Sequence, residues 1–433
     1  MKQTFKKLII AILRFEARMV LQKYHPKVVA ITGSIGKTTT KDSVYAVLSK
    51  FHYVRKSEKS HNSEIGLLLT VLGCPNGWND PVVWIKNIVK GFELLWRRTR
   101  YPEFLILEVG AGKPGDIAKI AKWLRADIVI LTAIGSIPAH IEFFGSLDSV
   151  LAEKASILQS LRKGGLLLVN TDNDSILKYI HRKDVKRVSF GFSVSDYQAS
   201  NKAISYQDLG PDRPVVPTGV SFRVDYRGAS VPVSIDGAFG VNHVCGALAG
   251  IAIAKELGLD VLAAIEALRS YEVPPGRMRI LKGLKKTLII DDTYNASPDA
   301  SRAALETLAE ITSAKRKIAV LGDMLELGRH TDESHRVLGA HAARSARWLV
   351  AVGPRAAHIV AGALEAGMKE AKIKHVLTAR EAGALLRTKI KEGDLVLVKG
   401  SQAMRMERVV EAVMELPEYK EQVLVRQEPE WLE

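Results

Sequence analysis

The sequence predicts an α/β fold with two domains, and two features of the 433-residue chain lead to this prediction. Short apolar runs alternate with helical segments along most of the chain, which is typical of parallel strands that helices cover on both faces. The alternation is interrupted at "YEVPPGRMR", residues 271–279, where two prolines precede a glycine. We therefore predict one domain at 28–275 and a second at 276–433, preceded by a short helix at 1–27.

The N-terminal segment 1–27 is basic, and its apolar residues recur at helical spacing. They are Phe5, Leu8, Ile9, Ile12, Leu13, Met19 and Val20. This spacing predicts an amphipathic helix, and the charged residues inside it argue against a helix that spans a bilayer. Two interpretations remain open: the apolar face packs on the protein's own body, or it lies on an anionic membrane surface.

The first domain begins with the strand "KVVAITG" and the helix "TTTKDSVYAVLSKF". The buried strands "EFLILEVG", "ADIVILTAI" and "GGLLLVNTDND" follow, with helical segments between them. Residues 188–234 are rich in turns and more β-like, and the helix "NHVCGALAGIAIAKELG" comes after them. The second domain resumes the alternation with the strands "TLIIDDTY", "KIAVLGDM", "WLVAVG", "KHVLTA" and "DLVLVKG". Runs of this length predict a parallel sheet in each domain.

The amino-acid composition, and above all the net charge, indicates which class of ligand the protein binds. The formal net charge is +15, and 47% of the residues are hydrophobic, as in ordinary globular proteins. The positive charge favours anionic ligands such as nucleotides, phosphorylated sugars or anionic lipids. Neither zinc-type Cys/His spacing nor an aromatic RNA-binding signature occurs in the sequence, so we do not expect nucleic acid as a partner. The two distant cysteines, Cys74 and Cys245, indicate a reducing cytoplasm, with membrane association left open.

The segment "VVAITGSIGKTTTKD", residues 28–42, predicts a phosphate-binding loop. A strand, a glycine turn and a helix N-terminus direct several backbone N–H groups to one point, where the helix dipole favours negative charge. The lysine supplies a cation for phosphate, and the first threonine hydroxyl is a Mg²⁺ ligand. The generic motif has a glycine where Ile31 stands, so this is a shorter form. The residues predicted to bind the nucleotide here are Gly33, Ser34, Gly36, Lys37, Thr38 and Thr39.

Phosphoryl transfer with Mg²⁺ also needs a carboxylate close to the phosphate loop. In parallel-sheet folds such a carboxylate is found at the C-terminal end of a neighbouring strand. Glu108 in "FLILEVGAG" follows four apolar residues and has this placement. We therefore predict that Glu108 binds Mg²⁺.

Seven stretches of the chain carry a resemblance to a known family. They are "TGSIGKTT" at 32–39, "HNSEIG" at 61–66, "EVGAGKPGDIA" at 108–118, "AEKASIL" at 152–158, "DDTYNASPDA" at 291–300, "LGDMLELG" at 321–328 and "LVKGSQAM" at 397–404. Their order and content resemble the Mur ligases, ATP-dependent enzymes that form peptide bonds in cell-wall precursor synthesis. Within the family, the pattern is most similar to the branch that adds D-alanyl-D-alanine to a muramoyl tripeptide. The bifunctional folate synthases share the phosphate loop but not "DDTYNASP".

The resemblance implies roles for the matching residues. Lys37 and Thr38 would hold ATP phosphates and Mg²⁺, and Glu108 would bind Mg²⁺. His140 in "IPAHIEFFGS" would bind a second Mg²⁺. Lys154 would be carbamylated by CO₂, which turns a cation into an anion that can hold a metal. The residues implied in catalysis are Lys37, His140 and Lys154.

The remaining implied roles concern the nucleotide and the substrates. Asp292 and Asn295 would contact ATP, with Asp292 at the ribose, and Arg277 would approach its phosphates. Asn242 would lie near the adenine, although the family more often has His before Asn at this position. The residues implied at the substrates are Asn62, Ser63, Glu64 and His335.

The resemblance also implies a fold and a reaction. A central ATPase domain would be followed by a Rossmann-like domain that closes over it and binds the amine. A substrate carboxylate would attack the γ-phosphate, and the amine would then attack the acyl phosphate. We expect a monomer that uses ATP and Mg²⁺.

One departure from the family concerns the acceptor. Family members carry an N-terminal domain that binds the UDP-sugar, whereas about 27 residues precede the first strand here, so we expect this domain to be missing. The acceptor is then either the usual nucleotide-sugar peptide, a different carboxylate, or a lipid-linked or polymeric substrate beside a membrane. The alternative to a ligase is an ATPase that activates a carboxylate for a partner amidotransferase.

Overall fold

The computed structural model describes residues 2–58, 62–172, 174–208, 215–269, 271–428 and 431, with side chains from residue 7 onward. His61 of the "HNSEIG" motif and residues 209–214 of the turn-rich stretch lie outside the described residues. The described residues form two sheets with helices on both faces, so the predicted α/β fold with parallel sheets is confirmed.

The first sheet has nine strands in the order β2-β3-β1-β4-β5-β6-β7-β8-β9. They are β1 Lys27–Thr32, β2 Val54–Lys56, β3 Phe104–Glu108, β4 Ala126–Leu131, β5 Leu161–Asn170, β6 Lys186–Gly191, β7 Tyr197–Gln207, β8 Val216–Tyr226 and β9 Ala229–Asp236. Strands β2 to β6 and β1 pair in parallel, whereas β7, β8 and β9 form an antiparallel meander. The turn-rich stretch that the sequence predicts is this meander.

The second sheet has six strands in the order β10-β11-β15-β12-β13-β14. They are β10 Arg279–Gly283, β11 Thr287–Asp292, β12 Arg316–Gly322, β13 Trp348–Val352, β14 Ile373–Val376 and β15 Asp394–Lys399. Only the edge strand β10 is antiparallel to its neighbour. The hairpin β10–β11 therefore adds one edge to a sheet that is otherwise parallel, as the alternation of strands and helices predicts.

The helices divide between the two sheets. Those associated with the first sheet are α1 Lys2–Tyr24, α2 Lys37–Ser49, α3 Glu64–Leu72, α4 Pro81–Trp96, α5 Asp116–Ala121, α6 Ile141–Phe144, α7 Leu147–Ala155, α8 Val241–Glu256 and α9 Val261–Arg269. Those of the second are α10 Pro298–Glu310, α11 Thr331–Ser345, α12 Ala357–Glu365, α13 Ala379–Lys389, α14 Glu407–Val413 and α15 Lys420–Val423. Short 3₁₀ turns connect several of them.

Strand β1 shows how the first sheet is buried on both faces. Val29 and Ile31 point to a core that includes α2, α8 and α9, while Val28 and Ala30 point to the opposite core with α1 and α3. Because successive side chains of a strand alternate between faces, a continuous apolar run is needed to bury both. In the strand order β1 lies between β3 and β4, so these two strands flank its carboxyl end.

Helix α1 packs on the body of the protein. Ile9, Leu13, Ala17 and Val20 are buried against the first domain, which is the first of the two interpretations of the N-terminal segment. The apolar residues on its other side, including Leu8 and Met19, are exposed. Within the described residues, no helix has the length and apolar character needed to cross a membrane.

Candidate active site

A cleft of about 720 Å³ lies between the two sheets. The loop after β1, the end of β3 and helix α7 line it from the first sheet, and the segment after β11 with the end of β15 lines it from the second. Most of the residues predicted from the sequence lie here: Gly33, Ser34, Gly36, Lys37, Thr39, Asn62, Ser63, Glu64, Glu108, His140, Lys154, Asn242, Arg277, Asp292 and Asn295. Their roles stay predictions, but the fold gathers them in one cavity.

The phosphate loop joins α2 to the carboxyl end of β1, which lies between β3 and β4. Gly36 directly precedes the first turn of α2 and has φ = 81°. Glycine adopts this left-handed conformation without a steric penalty. Gly33 lies so close to β4 that an added Cβ would be 2.0 Å from Thr132 Oγ1. Lys37 Nζ donates to Gly33 O at 2.9 Å, and burial lowers the pKa of its ammonium while nearby Glu108 opposes the shift. The loop thus brings a helix N-terminus and one cation to a single point.

Glu108 ends strand β3, directly beside β1, where Ile31 is its register partner. Its side chain is buried, Oε1 accepts from Asn62 Nδ2 at 3.3 Å, and Oε2 lies 3.8 Å from Lys41 Nζ. Among the described residues, Oε2 has no hydrogen-bond partner. A buried carboxylate oxygen without a hydrogen-bond partner can bind a cation. Mg²⁺ is commonly bound by one carboxylate together with substrate phosphates.

The metal ligands predicted here do not form a preformed protein cage. In the described part of the chain, no group of three or more His, Cys, Asp or Glu side chains is arranged to hold a metal ion. The hydroxyl of Thr38 accepts a hydrogen bond from Arg277 Nη2 at 3.0 Å. Glu108 and Thr38 therefore fit a Mg²⁺ ion that also takes oxygens from a bound nucleotide, as in other phosphate-loop enzymes.

Lys154 is buried in the last turn of α7. Burial is the main cause that lowers the pKa of its ammonium to about 7, and repulsion from Lys37 adds to the shift. Glu153, Asp116 and Glu108 oppose it. A lysine with this pKa is about half uncharged near neutral pH, and the uncharged amine is the form that reacts with CO₂.

His140 connects the two domains. It has φ = 71° and precedes the short helix α6, and its Nδ1 lies 2.5 Å from Glu326 Oε2. Glu326 belongs to the "LGDMLELG" motif after β12. Burial lowers the pKa of His140, the Glu326 carboxylate opposes the shift, and Lys37 and Lys154 reinforce it. The resemblance implied a site role for His140, but only the fold shows that His140 pairs with Glu326.

The second domain contributes a buried ion pair to the cleft. Lys399 Nζ donates to Asp292 Oδ2 at 2.6 Å and to the backbone oxygen of Asn295 at 2.9 Å. Asp292 and Lys399 are register partners at the ends of β11 and β15, so the parallel pairing of these strands explains their contact. Lys399 was not singled out from the sequence, although a lysine directly after the apolar run "LVLV" is a detectable signal.

Arg277 reaches from the interdomain segment to the phosphate loop. Besides its bond to Thr38, its guanidinium carbon lies 3.9 Å from the ring centroid of Tyr294. His243 Nε2 lies 2.8 Å from the backbone oxygen of Arg277, and Asn242 lies next to Gly36. Tyr294 therefore supports Arg277 by a cation–π contact that the sequence motif did not identify.

The residues predicted near the acceptor lie where α3 begins. The backbone oxygen of Asn62 accepts from Gly110 N at 2.8 Å, and Ser63 Oγ caps α3 by accepting from Gly66 N. Glu64 accepts from Arg14 Nε at 2.8 Å, which ties helix α1 to this edge of the cleft. Arg14 was not predicted as part of the site.

His335, which the resemblance implies at the substrates, does not line the cleft. It is fully buried in α11, where Nε2 accepts from Met324 N at 2.9 Å and Nδ1 lies 2.6 Å from Thr331 O. Both ring nitrogens are therefore used by the backbone. The side chain therefore holds Met324, in the loop after β12, against the first turn of α11.

Comparison with known proteins identifies the family that this chain matches. The Mur ligase middle domain matches residues 31–251, and the Mur ligase, glutamate ligase domain, matches residues 276–402. The UDP-N-acetylmuramoyl-tripeptide--D-alanyl-D-alanine ligase of Mycobacterium tuberculosis (strain CDC 1551 / Oshkosh) is 32% identical and aligns with 89% of this chain and 72% of its own. The ligase of the same name from Bacillus subtilis is 28% identical over 93% of this chain and 79% of its own.

A solved structure is similar along nearly the whole chain. The MurF ligase from Thermotoga maritima in complex with ADP superposes with a TM-score of 0.75 at 27% identity. The match covers 93% of this chain and 83% of that structure. The folylpolyglutamate synthase of Mycobacterium tuberculosis, at 14% identity and a TM-score of 0.63, shares the fold.

Proposed function

This chain belongs to the Mur ligase family, ATP-dependent ligases that form peptide bonds, and we propose that it adds D-alanyl-D-alanine to a muramoyl tripeptide in peptidoglycan synthesis. The names of its relatives support this acceptor and this amine. The observation that carries the proposal is the single cleft that contains the phosphate loop, Glu108 and the residues of both domains.

The nucleotide would bind across the two domains. The N-terminus of α2 and Lys37 would hold the phosphates, while Arg277 would move from Thr38 to the phosphate charge. Asp292 and Asn295, which Lys399 holds together, would contact the nucleoside, and Asn242 beside Gly36 would approach the adenine. This arrangement makes ATP binding depend on closure of the second domain over the first.

The reaction would proceed in two steps. An oxygen of the acceptor carboxylate attacks the γ-phosphorus of ATP, which forms an acyl phosphate and releases ADP. The amine nitrogen then attacks the acyl carbon, phosphate leaves, and the amine loses a proton as the amide forms. Thr38 and Glu108 would hold Mg²⁺, which neutralises charge on the phosphates. Lys37 offsets further negative charge, and the closed cleft excludes water from the acyl phosphate.

A second Mg²⁺ site would involve Lys154 and His140. We propose that the Lys154 amine is carbamylated by CO₂, since burial and the ammonium of Lys37 favour its neutral form, which is the form that reacts with CO₂. His140 would leave Glu326 in order to bind this ion. The acceptor carboxylate would lie close by, near Asn62, Ser63 and Glu64 at the start of α3.

Ligation can be tested directly with the purified chain. The protein is incubated with ATP, Mg²⁺, D-alanyl-D-alanine and UDP-N-acetylmuramoyl-tripeptide, and the product is identified by mass spectrometry. We expect a pentapeptide product only when every component is present, and none with Lys37→Ala. Lys50→Ala, at the exposed end of the same helix, is the matched control and should retain activity.

Parallel reactions separate this proposal from its alternatives. The muramoyl tripeptide without UDP tests whether the nucleotide of the acceptor is recognised. Phosphate release without a ligated product would refute D-alanyl-D-alanine ligation and favour an ATPase that serves a partner amidotransferase. The reaction consumes ATP, so we propose that it takes place in the cytoplasm.

A further inference from the structure

Helix α4 exposes a continuous apolar stripe that the proposed reaction does not use. Val82, Ile85, Val89, Phe92 and Trp96 recur every three or four residues and so lie on one side of the helix. All five are exposed, and Trp96 is 89% exposed. The opposite side of α4 packs inward through Asn87, Gly91 and Leu94, so the stripe is not needed to attach the helix.

Helix α1 lies beside α4 and extends this surface. Lys23 Nζ donates to the backbone oxygens of Leu94 and Leu95 at 2.8 and 2.9 Å, and a side chain at Gly91 would overlap Glu16. The exposed apolar residues of α1 are Leu8, Phe15 and Met19. Together with the five residues of the α4 stripe, they form what we call the α1–α4 surface.

Cations surround the α1–α4 surface. The exposed ones are Lys7, Arg18, Lys86, Lys90, Arg97, Arg98 and Arg100. Glu93 is the only carboxylate within α4, and its Oε1 lies 3.4 Å from Arg97 Nη1. Glu16, the only one in α1, is buried. Asp80, the N-cap of α4, is a further exposed carboxylate beside this surface. The seven exposed cations outnumber Glu93 and Asp80, so the charge around the surface is net positive.

We propose that the α1–α4 surface docks on an anionic lipid membrane, with its apolar stripe in the headgroup region and its cations on the lipid phosphates. Helices that lie in a membrane interface typically combine aromatic and aliphatic residues on one face with Lys and Arg beside them. Trp96 and Phe92 supply apolar area, and each flanking cation adds attraction to anionic lipid. A second copy of the chain would bring the same cations together, so the charge favours a membrane over self-association.

The surface suits peripheral attachment and not insertion. Ile9, Leu13, Ala17 and Val20 hold α1 on the protein through its other face, so docking requires no unfolding of the helix. The surface lies outside the cleft, since none of its residues lines that cavity. Membrane docking and ligation can therefore be measured and refuted independently.

Vesicle sedimentation tests the proposal with the purified full chain. Vesicles of phosphatidylcholine alone are compared with vesicles that contain roughly a third phosphatidylglycerol. We expect the protein to sediment with the anionic vesicles and to be released by high salt. Phe92→Ser/Trp96→Ser and, separately, Lys86→Glu/Arg98→Glu should each weaken binding by about tenfold or more.

Matched controls carry the same changes elsewhere. Val194→Ser/Leu377→Ser alters two apolar side chains that are 91% and 61% exposed, and Lys372→Glu/Lys374→Glu reverses two exposed charges of the second domain. Both should bind vesicles like the parent chain, and all four variants should keep its melting temperature. Three results would overturn the proposal: equal binding to neutral vesicles, no binding to either kind, or unchanged binding of Phe92→Ser/Trp96→Ser or of Lys86→Glu/Arg98→Glu. The proposal would also be overturned if the parent chain is a dimer that does not bind vesicles and Phe92→Ser/Trp96→Ser converts it to a monomer.

Discussion

Glu16 offers a quantitative test of how helix α1 is held on the protein. Its side chain is fully buried against α4, close to Gly91, and among the described residues neither of its carboxylate oxygens has a hydrogen-bond partner. Burial raises the pKa of this carboxyl from 4.5 to about 7. We predict that Glu16→Gln, which keeps the shape and removes the charge, stabilises the protein in alkaline solution.

The magnitude follows from the pKa shift. A pKa that burial raises from 4.5 to about 7 means that charged Glu16 costs about 3 kcal/mol of folding free energy. The folded pKa is raised, so the folded state binds the proton more tightly than the unfolded state. The favourable contribution is present below pH 4.5 and is lost as the pH rises through about 7. At pH 5 the charge costs less than about 1 kcal/mol, and at pH 8 it costs nearly the full amount.

Urea unfolding at pH 5 and pH 8, followed by tryptophan fluorescence, measures this difference. Relative to the parent chain, Glu16→Gln should gain about 2 to 3 kcal/mol of unfolding free energy between the two pH values. Glu272→Gln, at an exposed position, is the control and should show no such gain. If Glu16→Gln changes the free energy of unfolding by the same amount at both pH values, then burial does not raise the pKa of Glu16.

Four further predictions concern the cleft and the core. Lys37→Ala should lower phosphate release by at least about 100-fold, since it removes the cation of the phosphate loop; near-normal turnover would exclude it as the phosphate anchor. Glu108→Gln should raise the Mg²⁺ concentration needed for half-maximal turnover by about tenfold, and an unchanged Mg²⁺ titration would refute its role as a ligand. Lys154→Ala should lose activity that short carboxylic acids partly restore, whereas full activity would identify an ordinary lysine. Leu13→Ala should lower the free energy of unfolding by about 2 to 5 kcal/mol, and a smaller loss in denaturant unfolding would mean that α1 is loosely packed.

Much of the candidate site was predictable because its signals are local in the sequence. The phosphate loop needs a strand, a glycine turn and a helix within a few residues, and all three occur at 28–42. Glu108 could be predicted because parallel strands end at one edge of a sheet, so a carboxylate after an apolar run lies beside the loop. Lys154 and His140 had no such local signal, and only the resemblance to a family drew attention to them.

Pairs that join distant parts of the chain could not be predicted in the same way. Lys399 meets Asp292 because β15 pairs with β11, and 107 positions separate them. His140 meets Glu326 across the cleft, and Arg14 meets Glu64 because α1 packs beside α3. A sequence pattern reports neighbours along the chain, whereas these contacts depend on strand order and on how helices are seated.

The sequence by itself determined the alternation of strands and helices, the phosphate loop and the amphipathic character of α1, since each depends on periodicity or turn chemistry over a few residues. Tertiary structure decided which apolar faces are covered. It buried Ile9 and Leu13 on one side of α1 while leaving Phe15 exposed, and it left the α4 stripe without a partner. It also turned His335 inward, where the backbone uses both ring nitrogens. The physical reason is that burial is a property of the whole packed molecule, and an apolar or titratable side chain acquires its role only from what the fold places against it.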